Sequence, residues 1–368
     1  MEYSLETSKR KEELLRTMYN LQVKSGNTLQ KTSPLLNCHR GMGMVTMQHV
    51  NHLSQKASQI CQDLENIENL VRFRQNQLMY KIANPGGDSS NGLSGIHCCR
   101  DGTIYIVSVS SPWVHVLNRS GQIFQSLHCV QNQGRSKEPF LPEDVTLTRT
   151  GMVAVTDMVG GVIRIFNPHS KFSEGEWIKI GKIVCPRGIG VDPSGKLLVT
   201  DYTEGKVHIF AIDHTFKLLN VQTITGLRGP RYICSTYDGG IVVSEECDDV
   251  KVYGSNLKLM YSLSTKYCHK FGNPAGMCVD TEGNIMVVDE QKRNVMLFPK
   301  CGSPVCIVSA GLKKPTTLAC SSYGLVFVMD TGDNCIKVFK YRVTPHYGSA
   351  KIGPSSYRPH IMPKEKDG

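Results

Sequence analysis

A phrase of about 44 residues recurs along this chain, and that recurrence limits the possible folds more than any other feature. Five copies are plain. They are LPEDVTLTRTGMVAVTDMVGGVIRIF from Leu141, CPRGIGVDPSGKLLVTDYTEGKVHIF from Cys185, GPRYICSTYDGGIVVSEECDDVKVY from Gly229, NPAGMCVDTEGNIMVVDEQKRNVMLF from Asn273 and KPTTLACSSYGLVFVMDTGDNCIKVF from Lys314. Their opening prolines, Pro142, Pro186, Pro230, Pro274 and Pro315, are 44, 44, 44 and 41 residues apart. An acid recurs at the same spacings as Asp157, Asp201, Glu245, Asp289 and Asp330. An aromatic closes each unit at Phe166, Phe210, Tyr253, Phe298 and Phe339. A sixth, fainter copy lies upstream, with Ser108 in place of the acid and Leu117 in place of the aromatic.

Each unit reads as short strands. In the clearest copy, Gly188 to Val191 is apolar, Gly195 turns the chain, and Lys196 to Thr200 is a second strand. Lys206 to Phe210 alternates as a third, and Phe216 to Ile224 is the expected fourth. Four strands per unit is a propeller blade, and six units predict a six-bladed ring. The opening Pro suits a strand entry, where a missing N–H does no harm. An open ring would expose a sheet edge. The last unit ends at Phe339 without a fourth strand, so Met79 to Ala83 is expected to supply it. The alternative is the tail around Tyr341 to Val343.

The phrase P-x-G-[IV]-x-V-[DN]-x-x-G-x-[IL]-x-V-x-[DE]-…-[IV]-x-[VI]-F resembles the NHL repeat over residues 92–341. That resemblance implies a propeller of binding function. The fourth unit departs from it, with Tyr232 where the Gly should stand and Glu245 for Asp.

Ahead of the repeats the period changes. Val50, Leu53, Ala57, Ile60, Leu64, Ile67 and Val71 step by three and four, and Leu78 extends the stripe past Arg74. This a/d seam predicts a coiled coil that joins copies of the chain; a single helix packed on the propeller is the plainer alternative. The expected layout is a helical segment over 1–42, the coiled coil over 43–78, the propeller over 79–341 and a flexible tail over 342–368. A coiled coil followed by an NHL propeller resembles the tripartite-motif (TRIM) family. No paired Cys-x-x-Cys units with a partner His provide a RING or B-box, so ligase chemistry is not expected.

Composition narrows the function. The net charge of +10 is spread as +3 over residues 1–80, +4 over 81–341 and +3 over 342–368, too even to mark a nucleic-acid binder by bulk charge. No apolar run is long enough to span a bilayer and no signal peptide is evident. The fourteen cysteines are expected to be reduced thiols of a cytoplasmic protein. No cofactor or metal is expected. His115 and His208 share a third-strand slot with Arg164, Lys251, Met296 and Lys337, a slot read as facing solvent or a variable surface. The recurring acids are expected to cap the turn that follows them.

Loops before the first strand and after the second emerge on one face of a blade. They carry Arg187, Arg228, Arg231, Lys270, Lys313 and Lys314, joined by Tyr202, Lys206, Lys292 and Arg293. Cations with an aromatic suit a single RNA strand. Glu143, Asp144, Glu204, Glu246, Asp248, Asp249, Glu290 and Asp333 share the same loops, a mixture typical of protein-binding surfaces. The expected function is a non-enzymatic scaffold for partner proteins, with RNA as the alternative ligand.

Overall fold

The computed structural model describes residues 51–52, 54–64, 73, 75–85, 92–109, 111–129, 140–168 and 178–342. Six four-stranded antiparallel sheets follow one another around a ring. Blade 1 runs from Leu93–Cys98 to Ile123–His128, and blade 2 from Pro142–Leu147 to Ile178–Ile180. Blade 3 spans Pro186–Val191 to Leu218–Thr225, blade 4 Pro230–Ser235 to Leu259–Ser262, and blade 5 Pro274–Val279 to Val305–Val308. Within each, the strands lie in chain order from the axis outward.

Blade 6 is built from both ends of the repeat region. Pro315–Cys320, Leu325–Asp330 and Cys335–Lys340 supply three strands, and Leu78–Ala83 supplies the fourth. The closing pairs include Tyr80↔Val338 and Ile82↔Ile336. The closing strand is therefore N-terminal; Tyr341 instead buries its ring near the lone bridge Phe73↔Arg342. Asn76 fixes the entry. Its amide donates to Ser309 Oγ (2.7 Å), and its side-chain oxygen accepts from the Ser309 and Ala310 N–H groups.

The core is divided into six apolar clusters, one at each seam between blades. The closing aromatic of each unit packs across a seam: Phe166 meets Val107 and Val116 of blade 1, and Phe210 meets Ile163 and Ile165 of blade 2. Leu117 takes the same role against Ile336 and Val338 of blade 6. A buried aromatic or leucine contributes roughly 1.5–3 kcal/mol through apolar burial. Because both faces of a blade are covered, second strands such as Leu197–Asp201 and Ile285–Asp289 are buried at every position.

The outer strand of blade 3 starts at Leu218 rather than Phe216, which sits in the preceding turn with φ 62°. Residues 54–64 are helical, with Ile60 buried and Ala57 and Leu64 half-buried. Val50, Leu53, Ile67 and Val71 of the seam, and the segments 1–42 and 343–368, lie outside the described residues.

Candidate functional site

The recurring acids build the face on which the site lies. All five are buried. Asp201 accepts from the Val184 and Cys185 N–H groups of the loop before the first strand, and from Glu204 N in the turn after the second (3.0, 3.1 and 3.3 Å). Asp330 does the same with Lys313, Lys314 and Gly332 (2.8, 2.8 and 3.1 Å). Asp157 and Asp289 do likewise, so in four blades the carboxylate caps the expected turn and also ties down the neighbouring loop. Glu245 reaches only the loop, through Arg228 N, and leaves its turn to the backbone.

The third-strand slot does not face solvent as the sequence suggested. Arg164, Lys251 and Lys337 turn back onto the acid of their own blade, at 2.5 Å (Asp157), 2.7 Å (Glu245) and 2.6 Å (Asp330). His208 lies 3.6 Å from Asp201. Arg164 and Lys337 are almost fully buried. Third-strand residues directly opposite the second strand share its covered face, so alternation toward solvent does not apply. Blade 1, which lacks the acid, buries His115 against Ser126 Oγ at 2.9 Å, and burial lowers its pKa.

A second pattern lies at the third residue of each first strand. Around the ring these residues are Gly95, Asp144, Gly188, Tyr232, Gly276 and Thr317, alternating between glycine and a larger residue. A Cβ on Gly188 would stand 2.6 Å from the Arg231 carbonyl oxygen and 2.7 Å from Tyr232 Cα. On Gly276 it would lie 2.2 Å from Thr317 Cα, and on Gly95 2.5 Å from Asp144 Cα. Tyr232 is therefore not a decayed glycine. It is the large member of a small–large pair, as tapering β-structures require.

The first strands enclose an axial channel with a cavity of about 680 Å³. That cavity is lined by the later parts of the first strands and by Arg100, Arg149 and Tyr237 in the turns after them; the mouth at the opposite end, where the first strands begin, carries a compact polar cluster over blades 2 to 5. Arg231 grips Glu290 with two hydrogen bonds (3.0 and 3.1 Å) and lies 3.7 Å from Glu246. The Tyr202 hydroxyl donates to Glu246, and the Arg187 guanidinium sits 4.2 Å over the Tyr202 ring. Asn273 donates to Glu290 at 2.8 Å and accepts from Cys247 N at 2.9 Å. Beneath them, the Thr156 and Thr200 hydroxyls donate to the backbone carbonyls of Arg187 and Arg231 (2.6 and 3.1 Å), anchoring both arginines from the preceding blade.

Charges here are strongly coupled. Burial disfavours charge on Arg231, but Tyr232, Glu290 and Glu246 outweigh it and hold the guanidinium protonated. Burial pushes Asp144 up to about 7, opposed by hydrogen bonds from the Ile189 and Val145 N–H groups. Glu143 is also raised by burial, against the pull of Arg187 and Arg231. Inside the channel, burial drives His97 down to about 4.

The expected basic face is thus only partly assembled. Arg187, Tyr202 and Arg231 come together. Arg228 is exposed beside them, with its backbone N–H on Glu245. Lys206 pairs with Glu204 at 2.6 Å and Lys313 with Asp333 at 2.6 Å. The Lys292 ammonium donates to the Lys270 carbonyl; Lys270, Arg293 and Lys314 are exposed on blades 5 and 6. Tyr232 and Asn273 were missed by sequence reasoning. The alternation around the ring was the available signal for Tyr232; none marked Asn273.

A six-bladed ring of antiparallel sheets, closed by an N-terminal strand and carrying a charged channel mouth, places the chain among the β-propeller proteins. No family model matches it. NHL-repeat-containing protein 4 from Mus musculus is 46% identical over 127 residues, covering 34% of this chain and 93% of that protein. Its counterpart from Homo sapiens is 47% identical over 115 residues, covering 31% and 94%. The chain belongs to the NHL-repeat proteins. The E3 ubiquitin-protein ligase TRIM32 of Mus musculus is 24% identical over 220 residues, covering 55% of this chain and 33% of that protein. The chain matches only this third of the ligase. Among solved structures, virginiamycin B lyase from Staphylococcus aureus superposes with a TM-score of 0.52 at 14% identity, covering 72% of this chain and 88% of the lyase, a likeness of fold alone. No helix among the described residues is long and apolar enough to cross a membrane.

Proposed function

We propose that this chain is a non-enzymatic cytoplasmic scaffold whose channel mouth recognises partner proteins. The observation that carries this reading is the charge closure of the mouth. Arg231 is neutralised by Glu290 and Glu246, Lys206 by Glu204 and Lys313 by Asp333. A phosphate backbone needs unpaired cations in a row, because its affinity comes from counterion release. Preformed Arg–Glu pairs with aromatic anchors suit a protein surface, where arginine and tyrosine concentrate binding energy. Likeness to TRIM32 and to the E3 ubiquitin-protein ligase NHLRC1 supports a place in ubiquitin pathways, as a module that presents partners rather than as a ligase. Self-association through the seam from Val50 to Val71 would make the scaffold multivalent.

The test is affinity capture with the full chain, with and without ribonuclease, alongside a variant carrying Arg187→Glu, Arg228→Glu and Arg231→Glu. Protein partners that survive ribonuclease and are lost with the triple variant support the reading. Tight, salt-sensitive, sequence-selective binding of single-stranded RNA, abolished in the same variant, would replace it with RNA recognition.

A further inference from the structure

The axial cavity opens at the end of the ring opposite the polar cluster, where first strands turn into second strands. That end has its own departures from the repeat. At the eighth residue of each unit, counted from the opening proline or its equivalent Leu93, the ring reads Arg100, Arg149, Pro193, Tyr237, Thr281 and Ser322. Arg100 and Arg149 thus stand on adjacent blades, 1 and 2, with Tyr237 on blade 4. All three line the cavity and are exposed to solvent. Arg149 is pinned by a bond from Nη1 to the Pro193 carbonyl of blade 3 (2.7 Å). Its stem lies over Gly195, where a Cβ would stand 3.1 Å from Arg149 Cδ.

The acids at this end are committed to their own turns. Asp101 accepts from Thr103 N (2.9 Å), Asp192 from Ser194 N and Lys196 N (2.8 and 2.9 Å), and Asp280 from Glu282 N and Asn284 N (both 2.9 Å). Among the described residues, neither Arg100 nor Arg149 is paired with a carboxylate. Farther in, the wall is close to neutral. Ile96, Val145, Ile189 and Leu318 are apolar, and burial keeps the His97 imidazole uncharged at neutral pH. Burial also holds the Cys98, Cys99, Cys234 and Cys278 thiols protonated. Asp144, at the far end, spends both carboxyl oxygens on the Val145 and Ile189 N–H groups (2.9 and 3.1 Å).

A single exposed arginine is an ordinary solvated residue. Two on neighbouring blades, without carboxylate partners and at the opening of one cavity, form a positive rim over a neutral interior. Guanidinium forks match the oxygens of a carboxylate, sulfonate or phosphate. The Tyr237 ring offers a face on which a flat group can stack. The volume of about 680 Å³ falls within the roughly 300–1,000 Å³ typical of small-molecule sites. We propose that this cavity binds a small organic anion with a flat apolar body. Arg100 and Arg149 hold its oxyanion head at the opening, and its body lies between Tyr237 and the neutral wall. The site is at the far end of the ring from the partner-docking mouth and does not depend on it.

The experiment titrates the full chain, reduced, with anilinonaphthalene sulfonate, whose fluorescence rises when its rings leave water. The comparison probe is N-phenyl-naphthylamine, which has the same rings and no sulfonate. The sulfonate should bind once per chain and at least about ten-fold more tightly than the neutral probe, the preference that charge-assisted hydrogen bonds confer. The Arg100→Gln/Arg149→Gln variant, altered only at exposed side chains, should keep its Tm, lose that preference and bind the neutral probe as before. The Arg187→Glu/Arg228→Glu/Arg231→Glu variant, changed at the opposite end, should bind both probes as the wild type does. Alkylation by N-ethylmaleimide, mapped by mass spectrometry, locates the probe. The sulfonate should slow modification of Cys99 and Cys234 on the cavity wall and leave the exposed Cys247 and Cys268 unaffected. Equal affinity for the two probes, an unchanged preference in the Arg100/Arg149 variant, or no protection of the wall thiols would overturn the assignment.

Discussion

Replacing Asp330 by Ala should destabilise the propeller far more than replacing its partner Lys337 by Met. Asp330 accepts three backbone N–H groups, from Lys313, Lys314 and Gly332, besides the Lys337 ammonium at 2.6 Å. Removing the carboxylate strands those donors in a buried site at about 1–3 kcal/mol each. It also weakens the charge balance of Lys337, which keeps only Asp333 and the Gly311 carbonyl. A loss of at least about 3 kcal/mol follows from these three donors alone. Blade 5 shows what the reverse change leaves behind. There Met296 occupies the lysine slot, and Asp289 stays buried on three N–H groups at 2.7, 3.1 and 3.0 Å. Lys337→Met should therefore cost only about 1–2 kcal/mol, well below the roughly 3–5 typical of a broken buried pair. Thermal melts at pH 7 separate the two, since 1 kcal/mol moves Tm by about 2–4 °C in a domain of this size. Acid titration adds a second reading. Burial would raise the Asp330 carboxyl, but Lys337 and the N–H groups outweigh it and hold it low. Its stabilisation is present above the ordinary carboxyl value of 3.8 and fades as pH falls toward the lower folded value. Lys337→Met should move that fade to higher pH. Equal Tm losses for Asp330→Ala and Lys337→Met would refute the view that the carboxylate, rather than the ion pair, holds the blade.

Gly188→Ala should lower Tm by at least about 2 °C, the effect of about 1–3 kcal/mol of overpacking strain, because its Cβ meets the backbone of Arg231 and Tyr232; an unchanged melt would contradict the small–large pairing. A chain beginning at Asn84 lacks the strand that pairs with Cys335–Lys340, and light scattering should show it aggregating where a chain beginning at Gln75 does not. Asp144 has a folded pKa raised to about 7, so its contribution is fully present below 3.8 and is lost as pH rises through 7. Relative to Asp144→Asn, the wild type should lose a few kcal/mol between pH 4 and 8, measured by urea denaturation at both ends; a constant difference would show that the carboxyl ionises normally. Changing Ile60 and Leu64 to Lys should convert an oligomer into monomers in light scattering, and a wild type already monomeric at micromolar concentration would rule out the coiled coil.

What the sequence disclosed was what repeats. Pro186 pairs with Asp201 within blade 3 and Phe210 joins that blade to blade 2, and five copies amplify contacts no single copy would reveal. The third-strand slot was misread for a physical reason. Alternation separates inside from outside only when one face of a sheet meets water, and Arg164 and Lys337 sit on a sheet covered on both faces. Their partners were legible in hindsight, since a cation recurs opposite the acid in three of the blades and a histidine in a fourth. The outer strand of blade 3, exposed at seven of eight positions, has no core to impose a pattern, so its start was displaced by two residues.

The site is written in the departures from that repeat. At the second residue of each first strand the ring reads Ser94, Glu143, Arg187, Arg231, Ala275 and Thr316, and at the third it alternates glycine with Asp144, Tyr232 and Thr317. The framework positions are nearly alike in every blade, so they carry no information about a ligand. The pair of residues at these two positions is different in every blade, yet their backbone is held by the same strand pairing, and by Thr156 and Thr200 below the arginines. At the second position charge is thereby concentrated over blades 2 to 4, while Ala275, Thr316 and Ser94 leave blades 5, 6 and 1 small and neutral there. A partner that docks here meets an asymmetric opening in a nearly symmetric ring. Its orientation about the axis should be fixed by Arg187, Arg231 and the acids around them. Exchanging Glu143 and Arg187 between blades 2 and 3, where both side chains are only half-buried, should therefore abolish partner binding while leaving Tm within a few degrees, because the strand pairing beneath them is the same in both blades.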